Sequence, residues 1–196
     1  MNSRSSVWMP PVDFQQGLHY WFGRWESAHQ LENLLKSLPQ HLDNTLPRQF
    51  PQQALLQACD QIGRQLQDRR GCYDVLLQEA CRTISAQDAD PMLQGMAAML
   101  RKDAMQEKLR SELGDDAPGM LKRRYPGRQY EAWAPCGCVV HVAPSNVFTA
   151  AAMGLVEGLM AGNVNVVKTS ARDGMVAALF ASALVQEDAS GALASY

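Results

Sequence analysis

The last third of the chain alternates two strand patterns with two helix patterns, and this alternation restricts the fold more than any other feature. Residues 139–143 (VVHVA) form an apolar, β-branched run, typical of a strand buried on both faces of a parallel sheet. Residues 148–161 predict a helix that is apolar nearly all round and ends at Gly162. A strand over 164–168 and a helix over 171–186 follow. The pattern predicts a β-α-β unit with a right-handed crossover.

Helical spacing of apolar residues extends over most of the preceding chain. Helices are predicted over residues 31–38, 52–69, 73–84 and 92–113. Pro39 is expected to end the first helix, and Gly114 the last. Residues 114–130 are rich in Gly, Pro, Asp and basic residues and predict a solvated connector. An aromatic cluster over residues 19–25 fits either local packing or a contact with an acyl chain or a partner.

Composition excludes several classes of protein. With 18 basic and 20 acidic residues, the net charge of −2 argues against a dedicated nucleic-acid binder. The longest apolar stretch, residues 147–161, contains Glu157 and is too short to span a membrane. Five scattered cysteines and the absence of a signal-peptide core favour a cytoplasmic protein without a disulfide framework. Cys136 and Cys138 have no second pair of ligands nearby in sequence, so no metal site is predicted.

Ligands of parallel sheets bind beyond the carboxyl ends of the strands, which makes two residues candidates. Asn146 follows the first strand, where its amide either stabilises a developing oxyanion or caps the next helix. Lys168 ends the second strand and either binds a nucleotide or extends into solvent. His141, inside the first strand, is interpreted as a hydrogen-bonded core histidine. Ser170 and Asp173 have capping-box-like spacing at the predicted start of the last helix. Neither a Walker A loop nor a GxGxxG motif is present.

Two motifs in this region carry a family resemblance. Residues 134–148 (APCGCVVHVAPSNVF) and 158–170 (GLMAGNVNVVKTS) resemble the aldehyde dehydrogenase superfamily, and within it the fatty acyl-CoA reductases of the LuxC type. The resemblance is good over residues 90–187 and loose before them. It implies an α/β fold in two parts. A mainly helical region and connector (residues 1–130) precede the first β-α-β of an aldehyde-dehydrogenase-like, Rossmann-type parallel sheet in an NADP-binding domain (residues 131–196).

The resemblance also implies an activity, namely the reduction by NADPH of a long-chain acyl-CoA or acyl-protein thioester to a fatty aldehyde through an acyl-cysteine. Asn146 matches the asparagine that steadies the oxyanion in the family. Lys168 matches the lysine that contacts the adenosine ribose or its phosphate, and Ser170 lies beside it. Many NAD-using members carry Glu three residues after that lysine. Here Ala171 stands there and Arg172 follows, which suits the 2′-phosphate of NADPH.

The family's nucleophilic cysteine lies downstream of the matched region in much longer enzymes. The resemblance therefore implies an N-terminal part of such a reductase, inactive by itself and homo-oligomeric when complete. Related systems receive acyl groups from an acyl-protein synthetase and, in luminous bacteria, supply luciferase. A truncated, non-catalytic module that contacts such a synthetase is the main alternative. Aldehyde oxidation by another superfamily member is a weaker one.

Overall fold

A computed structural model describes residues 18–114, 122–123, 130–144, 147–170 and 174–196. These residues begin with the antiparallel hairpin of β1 (Leu18–Trp21) and β2 (Arg24–Ser27). The helices that follow are α1 (Leu31–Thr45), α2 (Gln52–Gln67), α3 (Tyr73–Ala80), α4 (Ala86–Met99) and α5 (Lys102–Leu113). A short antiparallel pair, β3 (Lys122–Arg123) and β4 (Tyr130–Glu131), lies within the predicted connector. The last elements are β5 (Cys138–Val142), α6 (Phe148–Met160), β6 (Val164–Lys168), α7 (Val176–Glu187) and a 3-10 turn (Leu193–Ser195).

The β-α-β prediction is confirmed. Strands β5 and β6 pair in parallel, with a register that runs from Cys138 opposite Val164 to Val142 opposite Lys168. The connecting helix α6 packs on both strands. His141 and Asn165 point toward α6 and hydrogen-bond to each other at 2.9 Å, which confirms that His141 is a hydrogen-bonded histidine. Helix α6 lies close to the sheet because Gly158 faces the sheet at this point. A Cβ on Gly158 would lie 3.0 Å from the Nε2 of His141.

The prediction that residues 139–143 are buried on both faces is wrong. Val140 and Val142 are 63% and 73% exposed. They point away from α6, since side chains alternate along a strand. In the described residues α7 packs against α2 and α6 instead of covering this second face. A run of apolar, β-branched residues indicates a strand, but it does not indicate whether other elements cover one face of the strand or both.

Helix α1 continues through Pro39, although a proline was expected to end it. Contacts beyond the proline hold the second half of the helix. His41 stacks on Phe22 with ring centroids 3.6 Å apart, and its Nε2 lies 2.7 Å from the Ser195 backbone oxygen. The Tyr196 hydroxyl donates to the Thr45 backbone oxygen. These tertiary contacts compensate for the backbone hydrogen bond that a proline removes.

The predicted helix over residues 92–113 is two helices. Helix α4 begins earlier, where the Ser85 hydroxyl accepts a hydrogen bond from the Asp88 N–H. Arg101 then has an extended backbone and starts α5. Asp60 on α2 fixes this break, because its carboxylate accepts the Lys102 N–H and pairs with Arg101 at 2.8 Å. Gly114 ends α5 as predicted, whereas α3 stops at Ala80, short of the expected Ile84.

One continuous core joins the helical region to the β-α-β unit. The helical spacing of apolar residues over 52–69 is confirmed, since one apolar stripe of α2 is entirely buried: Leu55, Leu56, Cys59, Ile62 and Leu66. This stripe packs against α4 and α7, so the α/β unit rests on the helices. The boundary between residues 130 and 131 stays a prediction.

Candidate functional site

The two predicted strand ends meet at one edge of the sheet. Val142 is opposite Lys168, and the Ala143 N–H donates to the Lys168 backbone oxygen at 3.0 Å. The segments that follow β5 and β6 therefore start side by side. Lys168 is exposed at the end of β6, and Thr169 and Ser170 continue from it.

A cavity of about 430 Å³ lies beside the end of β6. Its walls come from the β1–β2 hairpin, the start of α1, the second half of β6, and helices α6 and α7. Most of the lining is apolar, and Lys168 provides its cationic group. Such a volume and such walls are typical of small-molecule sites.

The aromatic cluster of residues 19–25 contributes to this cavity through Tyr20, Trp21 and Phe22. Burial raises the pKa of the Tyr20 phenol, and a hydrogen bond with Ser182 offsets this only in part. Tyr20 is therefore a neutral hydroxyl at ordinary pH. The structure thus gives the cluster local packing and a place on the cavity wall, and a contact with an acyl chain or a partner stays a prediction.

The last helix begins later than residue 171, where it was expected. Helix α7 begins at Val176, and its N-cap residue Met175 contributes no side-chain cap. Ser170 precedes the helix by too many residues to cap it, and Asp173 lies outside the described residues. The cap comes instead from α3, where the Glu79 carboxylate accepts the Met175 N–H at 2.8 Å. Sequence reasoning missed Glu79, because nothing in its local pattern connects it with a residue 96 positions away.

Of the predicted site residues, the structure describes Lys168 and Ser170, whereas Asn146 and Arg172 lie outside the described residues. The N-cap position of α6 is occupied by Val147, whose side chain makes no capping hydrogen bond. Among the described residues, Lys168 has no carboxylate within ion-pair distance. The site therefore presents a cation without a described acidic partner beside an apolar cavity.

Three of the five thiols are poor nucleophiles. Burial raises the pKa of Cys59, and it raises the pKa of Cys72 to about 12. Burial also raises the pKa of Cys138, which lies at the start of β5, the end of the strand away from Lys168. A thiol attacks as its thiolate, so these three are unsuited to accepting an acyl group.

A scan against protein-family models matches residues 48–196 to the family described as Acyl-CoA reductase (LuxC). The match covers well over half of the chain. This chain belongs to the LuxC acyl-CoA reductase family. The match confirms the family resemblance drawn from the two motifs. Neither the curated proteins nor the solved structures provide a match.

Within this LuxC family member, the matched region includes β6, α7 and Glu79, whereas the β1–β2 hairpin precedes it. No helix in the described ranges is long and apolar enough to cross a membrane. Across the same ranges, no three His, Cys, Asp or Glu side chains converge as metal ligands do.

Proposed function

We propose that these 196 residues are the N-terminal part of an NADPH-dependent long-chain acyl-CoA reductase, and that the cavity beside β6 receives the adenosine half of the cofactor. The observation that carries the proposal is the position of Lys168. It lies at the carboxyl end of a parallel strand, on a cavity, without a described acidic partner. Nucleotides bind at this edge in Rossmann-type sheets. Membership of an acyl-CoA reductase family supplies the substrate class.

The residues present fit a phosphorylated nucleotide. A lysine ammonium binds phosphate and ribose oxygens through charge-assisted hydrogen bonds. Lys168 would contact the adenosine ribose, Ser170 would lie beside it, and Arg172 would bind the 2′-phosphate that distinguishes NADPH from NADH. NADPH supplies the hydride when it is bound. Lys168, Ser170 and Arg172 would hold the adenosine half of NADPH, and the apolar walls of the cavity would exclude water from it.

Asn146 is proposed to stabilise the oxyanion that develops on the thioester carbonyl. The presence of Val147 at the N-cap position of α6 supports this role over the capping role. Removing one oxyanion donor costs about 10²–10³ in rate. Asn146→Ala in the complete reductase is therefore expected to lower single-turnover aldehyde formation by that factor and to leave the melting temperature nearly unchanged. Normal turnover with a lower melting temperature would assign Asn146 to helix capping.

The acyl group is proposed to pass to a cysteine outside these residues, as the family resemblance implies. Burial raises the pKa of Cys59, Cys72 and Cys138, which disfavours these three as acyl acceptors. The thioester donor would be long-chain acyl-CoA or an acyl-protein delivered by an acyl-protein synthetase partner. The complete enzyme is proposed to be a homo-oligomer, as the family resemblance implies. A cytoplasmic location accords with this chemistry.

The cofactor site is tested by titrating NADPH and NADH into the complete reductase and three variants of it. Lys168→Ala is expected to weaken NADPH binding by roughly ten- to hundredfold, because a charge-assisted hydrogen bond is lost. Arg172→Ala is expected to weaken NADPH alone. Lys36→Ala is the matched control, because Lys36 is an exposed lysine paired with Glu32 on α1. An unchanged affinity in Lys168→Ala would remove the cofactor site and favour the non-catalytic module.

A further inference from the structure

Glu79 occupies a position that is unfavourable unless something compensates for it. It lies in the last turn of α3, where the backbone carbonyls of a helix end disfavour a negative side chain. The residue is also only 6% exposed, and a buried carboxylate is costly unless it is paired and hydrogen-bonded.

The compensation comes from the loop that leads into α7. Glu79 Oε1 accepts the Met175 N–H at 2.8 Å, and Oε2 pairs with the Arg82 guanidinium at 3.1 Å. Gly174 has a left-handed backbone with φ of 58°, and a Cβ there would collide with Glu79 Oε1. Glycine therefore provides both the backbone conformation and the space for the carboxylate.

We infer that Glu79 is a positioning residue for the cofactor edge, an inference that rests on the proposed function. Lys168 and Met175 line the same cavity. The backbone of Lys168 is held in the sheet, and the backbone N–H of Met175 is held by Glu79. A shift of Met175 therefore changes the wall of the site.

This arrangement makes the helical region part of the nucleotide site. Glu79 belongs to α3, so the distance between α3 and α7 sets the position of Met175 on the cavity wall. The same carboxylate fills the N-terminal end of α7, where free N–H groups would otherwise attract an anion. The phosphates of the cofactor are consequently left to side chains, of which the structure describes Lys168.

The test compares NADPH affinity in Glu79→Ala, Glu79→Gln and a matched control, Asp60→Ala. Asp60 makes the same kind of contact elsewhere, since it accepts the Lys102 N–H at the start of α5 and pairs with Arg101. Glu79→Ala is expected to weaken NADPH binding about three- to tenfold, the effect of losing one positioning hydrogen bond. Glu79→Gln keeps an acceptor oxygen and is expected to retain most of the affinity. Asp60→Ala is expected to lower the melting temperature and to leave NADPH affinity unchanged.

Two further measurements make the result decisive. Hydrogen exchange at the Met175 amide should accelerate in Glu79→Ala and stay slow in Glu79→Gln. If Glu79→Ala does not fold, Gly174→Ala displaces the carboxylate from the other side and should weaken NADPH binding equally. The inference is overturned if Lys168→Ala weakens NADPH binding while the Glu79 and Gly174 variants bind normally, because Glu79 is then only a helix cap. If Lys168→Ala also binds normally, the cofactor site itself is wrong, and the inference falls with it.

Discussion

At the scale of single residues, Asp188 shows how hydrogen bonds can outweigh burial. The residue ends α7 and is 7% exposed. Its carboxylate accepts the Leu193 N–H at 2.8 Å, together with the N–H and the hydroxyl of Ser190. Burial would raise the pKa of this carboxyl, but these donors favour the charged form and hold the pKa below its usual value of 3.8. Asp188 thereby organises the turn that leads to the C-terminal residues.

Because the folded pKa of Asp188 is depressed, its contribution to stability is complete above the unfolded pKa and is lost as pH falls through the folded value. The pH range over which this stability is lost therefore lies below about pH 4. Asp188→Ala is expected to lower the free energy of unfolding at pH 7 by about 1.5–3 kcal/mol, the size of hydrogen bonds to a charged group. Urea unfolding of both proteins between pH 7 and pH 3 measures this. The difference should shrink at the acid end, and a constant difference would contradict the pKa direction.

At the scale of elements, α1 shows a proline inside a helix that tertiary contacts preserve. Pro39→Ala restores an N–H for the Leu35 carbonyl and removes the clash of the ring. The free energy of unfolding is expected to rise by roughly 1–3 kcal/mol. Pro47→Ala is the control, because Pro47 follows the helix and its replacement only loosens the unfolded chain. Urea unfolding of the wild type and both variants measures this change, and a loss of stability in Pro39→Ala would mean that the folded protein needs the proline at this position.

The elements themselves were largely predictable, because apolar spacing is a local signal. The stripe of α2 and the strands β5 and β6 were predicted correctly. The wrong predictions include two helix boundaries that a residue distant in sequence determines. Asp60 breaks the helix at Arg101, and Glu79 delays the start of α7 to Val176. Neither effect leaves a pattern in the segment that it changes.

At the scale of the whole molecule, the sequence motifs were sufficient for the family and insufficient for the site. Lys168 was placed at a ligand-binding edge from the strand pattern and the motif alone. The cavity beside it could not be predicted, since its walls combine Trp21 and Leu31 with Lys168, which lies more than 130 positions further along the chain. Asn146 and Arg172, which the motif also indicates, stay predictions. The prediction that β5 is buried on both faces failed for a related reason, because the exposure of Val140 depends on where α7 packs.

The contact between α1 and the 3-10 turn has a consequence for biosynthesis. His41 leaves the ribosome long before Ser195, from which it is separated by 154 positions in sequence. Contacts of such long sequence separation form late in folding, because the loop must close before they stabilise anything. In α1, only Thr45 is buried among the described residues, and the contacts of His41 and Thr45 with Ser195 and Tyr196 cannot form until those residues emerge. The cavity, which Leu31 of α1 and Leu193 of the turn both line, is therefore completed only after Leu193 has been synthesised.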